Sequence, residues 1–156
     1  MWIPKGWTIP CVANSNIHYI KIRRPDEKLL RSKSRGQGGS PKYVALTGSR
    51  AKSLFGADQL RADGRPLLLV EGEFNAMVAY QELQGTIDVA SVGSASNGVA
   101  LRWQPYLLPY PAILGLYDDD EAGKRGLKSL RKTVPNIRPV WLPLHDRARF
   151  FLILCN

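Results

Sequence analysis

Cysteine is nearly absent from this sequence: Cys11 and Cys155 are the only two among 156 residues. Zinc sites and disulfide scaffolds need clustered or regularly spaced cysteines, so we expect neither zinc nor a disulfide framework in this chain. Long apolar runs are also absent, since none approaches the ~20 residues needed to cross a bilayer. Because the N-terminus lacks the pattern of a secretory signal, we expect a cytoplasmic protein with no membrane partner.

Acidic residues are scarce in the first part of the chain. Residues 1–60 carry 11 lysines and arginines against 3 acids, whereas residues 61–156 carry 11 against 10. A basic segment joined to a nearly neutral remainder indicates a polyanionic partner for one face of the molecule. The alternative is a solvated basic surface that binds nothing.

The basic segment has the pattern of a small β-rich subdomain. Residues 7–12 and 17–23 read as strands around the turn-rich residues 13–16, which predicts a hairpin, and residues 42–46 read as a third strand. Residues 24–41 between them have the composition of a loop. Cations in and next to this loop are spaced to contact phosphates, unless the loop is merely soluble; they are Arg23, Arg24, Arg31, Lys33 and Arg35.

From residue 66 onward, short apolar runs alternate with helical patterns. The expected strands cover 67–71, 87–92, 112–118 and 137–142, and the expected helices cover 74–84, 99–108 and 121–133. This alternation is typical of βαβ units around a parallel sheet. We therefore predict an α/β fold in which helices flank a parallel four-stranded sheet, preceded by the basic β-rich subdomain.

Two of these helices have distinct faces in the sequence. Helix 74–84 is expected to pack through Phe74, Met77, Val78 and Leu83. Helix 121–133 is expected to pack through Ala122, Leu127 and Leu130, and to end before Pro135. Its outer face carries Lys124, Arg125, Lys128, Arg131 and Lys132. That face is a second candidate for a polyanion contact, and a solvated helix surface is the alternative.

Carboxylates follow two of the predicted strands directly. Glu71 and Gly72 come after one strand, and Asp118 and Asp120 come after another. Ligands bind at the carboxyl ends of strands in open α/β sheets, and carboxylate oxygens suit Mg²⁺, which shares its coordination with substrate phosphates. The pattern predicts a divalent-cation site. The alternative is that the acids after the second strand only cap the N-terminus of the next helix.

The motifs Leu68-Leu69-Val70-Glu71-Gly72-Glu73 and Leu116-Tyr117-Asp118-Asp119-Asp120-Glu121-Ala122-Gly123 resemble the Glu-Gly and Asp-x-Asp motifs of Toprim domains. Val92-Gly93-Ser94 resembles the glycine turn of that fold. The hairpin, Pro41-Lys42-Tyr43 and Leu54-Phe55-Gly56 are similar to the basic subdomain of DnaG-type primases and related helicase-primases. The resemblance implies a basic subdomain in residues 1–62, a Toprim domain in 63–146 and a shortened or atypical tail in 147–156.

The resemblance also implies roles for individual residues. Glu71 would be the catalytic acid/base residue, and Asp118 and Asp120 would hold Mg²⁺, or Mn²⁺ in its place, together with Glu71 and Asn75. Residues expected to contact the nucleotide or the template are Lys42, Tyr43, Arg23, Arg24, Arg31, Lys33, Gly72 and Gly93. The implied partners are single-stranded DNA, nucleoside triphosphates and a replicative helicase.

The sequence departs from the family pattern at several positions. Primases carry an aspartate four residues after the motif glutamate, where this chain has Asn75, and Gly56-Ala57 stands where the family has a further lysine. An amide can coordinate a cation through oxygen but adds no negative charge. We expect neither the zinc module nor the helical part of primases in this chain.

Three functions are therefore open. The first is Mg²⁺-dependent synthesis of RNA primers on single-stranded DNA by a primase-like nucleotidyltransferase core. The second is another Toprim phosphodiester reaction, such as that of a nuclease. The third is a catalytically weak nucleic-acid-binding module of a helicase or mobile-element protein, which Asn75 favours and the intact Glu71, Asp118 and Asp120 oppose.

Overall fold

The computed structural model describes residues 3–25, 41–50, 52–83, 85–94 and 98–141. The chain divides into two compact units, Met1–Ala51 and Lys52–Asn156. The division precedes the expected boundary after residue 62, because residues 52–62 belong to the second unit. Phe55, for example, forms an antiparallel bridge with Ser91. The expected tail at 147–156 lies outside the described residues.

The first unit is a three-stranded antiparallel sheet in the order β1-β2-β3. Its strands are β1 (Trp7–Ala13), β2 (Asn16–Arg23) and β3 (Tyr43–Ala45), which confirms the predicted hairpin and third strand. Asn14 and Ser15 connect β1 and β2 with φ values of 51° and 59°, the left-handed conformation that tight hairpin turns require. Ile9, Cys11 and Ile22 are among the buried residues of this unit.

The second unit contains the predicted parallel sheet, with four strands in the order β5-β4-β6-β7. The strands are β4 (Leu67–Val70), β5 (Asp88–Ser91), β6 (Ile113–Leu116) and β7 (Ile137–Val140). Every residue of β4 and β5 is buried. Burial on both faces explains why these strands read as continuous apolar runs instead of alternating sequences.

Helices α1 (Glu73–Leu83) and α2 (Glu121–Leu130) cover opposite faces of this sheet. Leu68 and Val70 of β4 form one buried cluster with Ala76 and Ala79 of α1. On the other face α2 packs so closely on β6 that a Cβ atom at Gly115 would lie 2.7 Å from Leu127 Cδ1. From β4 the chain crosses to β5 on one side, and from β6 it crosses to β7 on the other. Right-handed crossovers in opposite directions place the helices on opposite faces.

The predicted helix 99–108 is wrong as an α-helix. The structure has a 3₁₀ helix at Leu101–Tyr106, with Pro105 inside it and Trp103 buried. Proline removes a main-chain donor and clashes with the preceding turn, so an α-helix cannot continue through this position. Trp103 is held in place by its indole Nε1, which donates to the main-chain oxygen of Lys52 at 3.1 Å.

The predicted inner faces of the two α-helices need correction. In α1 the buried residues are Glu73, Ala76 and Ala79, while Phe74, Met77 and Val78 are only half-buried. Small alanines let this helix lie close to the sheet, and Leu83 packs at the edge of the cluster as expected. In α2 the buried residues are Gly123, Gly126, Leu127 and Leu130, whereas Ala122 is exposed. Gly123 is buried instead of the expected Ala122, because the first turn of α2 packs against the main chain of the loop before it.

A buried carboxylate anchors the segment that leads into β4. Asp88 Oδ2 accepts hydrogen bonds from the main-chain nitrogens of Arg61 and Ala62, at 2.6 and 3.0 Å, and from the Tyr110 hydroxyl at 2.5 Å. A buried charge is tolerated when several donors satisfy it. Asp88 is only 4% exposed, so these bonds fix residues 61–62 and Tyr110 at the start of β5.

None of the helices in the described ranges has the length and apolar character required to span a lipid bilayer.

Candidate active site at the carboxyl edge of the sheet

The carboxyl ends of β4 and β6 form the switch point of the parallel sheet. These neighbouring strands pair in register, with Val70 opposite Leu116, and their following connections lead to opposite faces. A crevice forms outside the strand ends at such a point, and it is the usual ligand position in open α/β folds. Glu71 is the first residue beyond β4, and Asp118 is the second beyond β6. The two sequence-predicted acids are therefore brought to the same edge.

A serine that the sequence did not single out fixes the main chain at Glu71. The Ser91 hydroxyl donates to the main-chain oxygen of Glu71 at 3.1 Å and accepts from the main-chain nitrogen of Gly93 at 2.9 Å. Ser91 is fully buried at the end of β5. Its side chain ties together the turns that follow β4 and β5, and Gly93 adopts the positive φ of 77° that this second turn requires.

The loop between β6 and α2 presents three aspartates with different environments. Asp120 is the N-cap of α2, and its Oδ1 accepts from the Gly123 main-chain nitrogen at 2.7 Å. Asp119 is exposed and forms an ion pair of 3.0 Å with Lys124, which raises the Lys124 pKa. Asp118 is half-buried. Helix capping was the alternative role predicted for these acids. Asp120 has this role, and the cap uses one of its two carboxylate oxygens.

Gly123 determines how close α2 comes to this loop. A Cβ atom there would overlap the main-chain oxygen of Asp118, so only glycine permits the observed approach. At Gly72 the situation is different, because apart from its chain neighbours no described residue has an atom within 4 Å of the position of a Cβ atom. Packing among the described residues therefore does not require a glycine there, and the proposed contact of Gly72 with a substrate stays a prediction.

Tyr117 lies opposite Glu71 in the register of the strands and directly precedes Asp118. It follows Leu116 of β6, level with Glu71, and is 5% exposed. Its hydroxyl has no hydrogen-bond partner among the described residues. Burial, with a smaller contribution from the negative charge of Glu71, raises the pKa of Tyr117. The hydroxyl consequently stays protonated at the edge where the acids converge.

The donor set is suited to a shared Mg²⁺ but not to a complete protein cage. Nowhere in the described ranges do three His, Cys, Asp or Glu side chains gather closely enough to hold a metal ion. Mg²⁺ commonly binds through one or two carboxylates and completes its coordination with water and substrate phosphates. Half-buried Asp118 and the uncapped oxygen of Asp120 are carboxylate donors of this kind, and half-buried Glu71 lies at the same edge. Asn75 is exposed in the first turn of α1.

The first unit carries a row of aromatic and cationic side chains across its sheet. Trp7 pairs with Arg23, and Arg23 pairs with Tyr43, so these three side chains lie on one face. The Arg23 guanidinium lies 5.3 Å from the Trp7 ring centroid, a cation–π contact. Trp7 is 56% and Tyr43 39% exposed, which is unusual for large rings in a sheet.

The remaining predicted contact residues are distributed around this row. Lys42 is exposed next to Tyr43, and its main-chain oxygen accepts from the Arg24 nitrogen at 2.9 Å. Arg31 and Lys33 lie outside the described residues. Trp7 was not among the predicted contact residues, because its pairing with Arg23 depends on a bulge between Cys11 and Val12. For Ser91 and Tyr117 the only signal was that each is a polar residue at the end of a buried strand.

No protein-family model matches the chain. Its sequence is 31% identical over 134 residues to the gene 57 protein of Mycobacterium phage D29, covering 83% of this chain and 75% of that protein. The chain belongs to the gene 57 protein family.

The fold is that of DnaG-type primase domains, as the sequence resemblance predicted. A DNA primase domain from Pseudomonas aeruginosa superposes on this chain with a TM-score of 0.64 at 20% sequence identity. The match covers 89% of this chain and 44% of the chain of that primase domain. A second match comes from the structure of bacteriophage T7 lagging-strand DNA polymerase interacting with the primase domains of two gp4 subunits, bound to an RNA/DNA hybrid and dTTP. Its TM-score is 0.65 at 22% identity, covering 90% of this chain and 66% of that chain. The gene 57 family chain thus spans about half to two thirds of these solved chains.

Proposed function

We propose that this chain is the catalytic core of a DNA primase-like nucleotidyltransferase, which synthesises RNA primers on single-stranded DNA. The observation that carries the proposal is the convergence of Glu71 and Asp118 at the switch point of a DnaG-type fold. Ordinary helix capping explains Asp120 but not Glu71, which ends a different strand. The solved T7 complex with an RNA/DNA hybrid supports nucleic acid as a ligand class, and nucleoside triphosphates are the substrates that primer synthesis would require.

In this proposal Glu71 accepts the proton of the attacking 3′-hydroxyl, since a carboxylate at the edge can act as a general base. Asp118 and the uncapped oxygen of Asp120 would hold Mg²⁺, or Mn²⁺ in its place. The bound ion would neutralise the triphosphate and orient the in-line displacement. The Ser91 hydrogen bond positions Glu71 through its main chain.

Template binding is assigned to the first unit. Bases stack on exposed aromatic rings, and cations neutralise phosphates without fixed geometry. The row of Trp7, Arg23 and Tyr43 combines both features, with Lys42 and Arg24 next to it. Arg31 and Lys33 are proposed as further phosphate contacts. A replicative helicase is the proposed protein partner, which co-migration of the two proteins in gel filtration would test.

A catalytically weak binding module is the second candidate, and Asn75 and Asp120 favour it. Asn75 removes one negative charge from the edge, and Asp120 uses one oxygen as a helix cap. Both features lower the affinity for a divalent cation. This candidate keeps the nucleic-acid contacts of the first unit and lacks primer synthesis.

Primer synthesis on a single-stranded template with Mg²⁺ or Mn²⁺ tests both candidates. Wild type is compared with Glu71→Gln and Asp118→Asn, and with Asp119→Asn as a matched loss of charge in the same loop. We expect Glu71→Gln to lower the amount of product by about 100-fold or more, the lower end of the contribution of general-base catalysis. Asp118→Asn should also lose product, because it removes a proposed carboxylate ligand of Mg²⁺, whereas Asp119→Asn should retain it. Product that is unchanged in Glu71→Gln and Asp118→Asn would exclude the site. DNA binding without any primer in wild type would select the binding module.

A further inference from the structure

The outer face of α2 carries a basic stripe formed by Lys124, Arg125, Lys128, Arg131 and Lys132. All five residues are exposed. At ~100° per residue their positions fall within an arc of ~120°, on the side of the helix opposite its buried residues. The last two continue beyond the helix end, where Arg131 N bonds to Leu127 O and Lys132 N to Ser129 O. The stripe is a continuous one-sided surface.

Acidic partners on the protein account for little of this charge. Lys124 forms the ion pair with Asp119, at 3.0 Å. Arg125, Lys128, Arg131 and Lys132 have no ion pair within the part of the chain that the structure describes. The only acid in α2 is Glu121, at its first position.

Helix stability does not explain the arrangement either. Cations near a helix C-terminus are stabilised by the helix dipole, and this accounts for the positions of Arg131 and Lys132. Lys124 and Arg125 lie in the first half of α2, where acids would be favoured instead. Lys124 and Lys128 are also four residues apart, as are Lys128 and Lys132, and like charges at this spacing repel each other. An external anion would relieve this repulsion.

We propose that the basic stripe binds the phosphate backbone of nucleic acid at the outer side of α2. The stripe is ~12 Å long at 1.5 Å per residue, which corresponds to three or four phosphates at about 3.4 Å per phosphate of one strand. It begins beside Asp119, in the loop that carries Asp118 and Asp120. Nucleic acid is favoured over an acidic protein because the stripe starts at the edge proposed to act on it, so the inference rests on the proposed function.

The test measures binding of a single-stranded oligonucleotide as a function of salt concentration. The variant Arg125→Gln, Lys128→Gln, Arg131→Gln and Lys132→Gln keeps strong helix formers and leaves the Lys124 ion pair intact. Each phosphate contact contributes about 0.7 to the slope of log affinity against log salt for single strands, so we expect the slope to fall by up to about 3. Circular dichroism melting checks that the variant folds.

A matched pair of variants separates a local contact from the loss of net charge. Arg125→Gln with Arg131→Gln removes two arginines from the stripe, and Arg61→Gln with Arg138→Gln removes two exposed arginines elsewhere in the second unit. We expect only the first pair to lower the slope, by up to about 1.4. Equal effects of both pairs, an unchanged slope in the four-site variant, or tighter binding of polyglutamate than of DNA would overturn the proposal.

Primer synthesis by the wild type is recorded in the same preparation. Wild type that binds DNA and makes no primer defeats the proposed synthesis, while a lowered slope in the stripe variants still supports the contact. Normal primer synthesis with an unchanged slope defeats the stripe and leaves the proposed function standing.

Discussion

The Ser91 hydroxyl donates to the main-chain oxygen of Glu71, across the carboxyl edge of two neighbouring strands. Since the same hydroxyl accepts from the Gly93 nitrogen, one buried side chain couples the turn of the proposed catalytic acid to the next turn. The sheet register alone brings Glu71 to the edge, and Ser91 limits how its main chain can move there.

Replacing Ser91 with alanine should therefore affect both stability and the proposed activity. The change takes a hydrogen-bond partner from two main-chain groups, so we expect the free energy of unfolding to fall by about 1–3 kcal/mol. Urea unfolding measures this, with Ser129→Ala on the half-buried face of α2 as the control. Primer synthesis should fall under conditions where the variant is folded. A loss of stability no larger than that of the control would contradict the role of Ser91.

Gly123 and Gly72 should respond in opposite ways to an added methyl group. Alanine at position 123 would overlap the Asp118 main chain, so we expect a loss of about 1–3 kcal/mol in the free energy of unfolding and a displaced Asp118. Alanine at position 72 meets no atom of the described residues within 4 Å, its chain neighbours aside, so its effect on stability should stay within about 0.5 kcal/mol. Thermal and urea unfolding compare the two variants directly. Equal stability losses would contradict the close packing of α2 on the loop.

The parallel sheet was predictable because two of its strands, β4 and β5, are buried on both faces. β4 and β5 each contain four consecutive buried residues, with turn residues and acids nearby in the sequence. A short run of this length and composition is typical of a fully buried strand. The acids after β4 and β6 then mark the carboxyl edge. This is why Glu71 and Asp118 were found correctly at one edge from sequence alone.

The details that were missed depend on packing distances and on register. A β-bulge between Cys11 and Val12 shifts the pairing of β1 by one residue, so that Trp7 lies opposite Arg23 instead of Ile22. No residue type in the hairpin sequence predicts that bulge. In α1 the alanines were overlooked because periodicity favours large apolar residues, whereas close approach to a sheet favours small ones. Ser91 gave only the weak signal of a polar residue at the end of a buried strand, since its role arises from the hydrogen bonds that join two turns.

The chain should lose stability at alkaline pH through Tyr110 and Tyr117. Burial is the main cause that raises the pKa of both residues, helped by the Asp88 hydrogen bond at Tyr110. In the unfolded chain they ionise near pH 10, whereas in the folded chain they stay protonated to higher pH. Stability is therefore complete below about pH 10 and falls above it, by up to about 1.4 kcal/mol per pH unit for each tyrosine. Urea unfolding between pH 8 and 11 would measure this fall.

Tyr110→Phe is the control for the alkaline loss. This variant should be less stable at neutral pH by about 1.5–3 kcal/mol, because Asp88 loses a charge-assisted hydrogen bond. Its stability should fall less steeply above about pH 10, since one buried phenol is gone. An alkaline slope equal to that of wild type would show that Tyr110 ionises as readily in the folded as in the unfolded chain.

Trp7 should contribute to DNA binding through stacking. Replacing it with alanine should weaken binding of single-stranded DNA by about 1–3 kcal/mol, while phenylalanine should restore part of the affinity. Trp141 is the control, because it is 45% exposed and lies in the second unit beyond β7. Fluorescence anisotropy of a labelled oligonucleotide measures both variants. Equal effects of Trp7→Ala and Trp141→Ala would contradict a stacking surface on the first unit.

Asn75 is the position where a single added charge should strengthen cation binding. Asn75→Asp places a carboxylate in the first turn of α1, close in sequence to Glu71, where the helix dipole also tolerates an acid. We expect the variant to bind Mg²⁺ more tightly and to reach half-maximal primer synthesis at a lower Mg²⁺ concentration. Cation binding by the folded state alone raises the melting temperature, so a Mg²⁺ titration followed by thermal unfolding reports affinity independently of activity.

Gln81→Glu adds the same charge at an exposed position later in α1 and should leave the Mg²⁺ dependence unchanged. If both variants respond to Mg²⁺ equally, the effect comes from overall charge, and Asn75 has no part in a cation site.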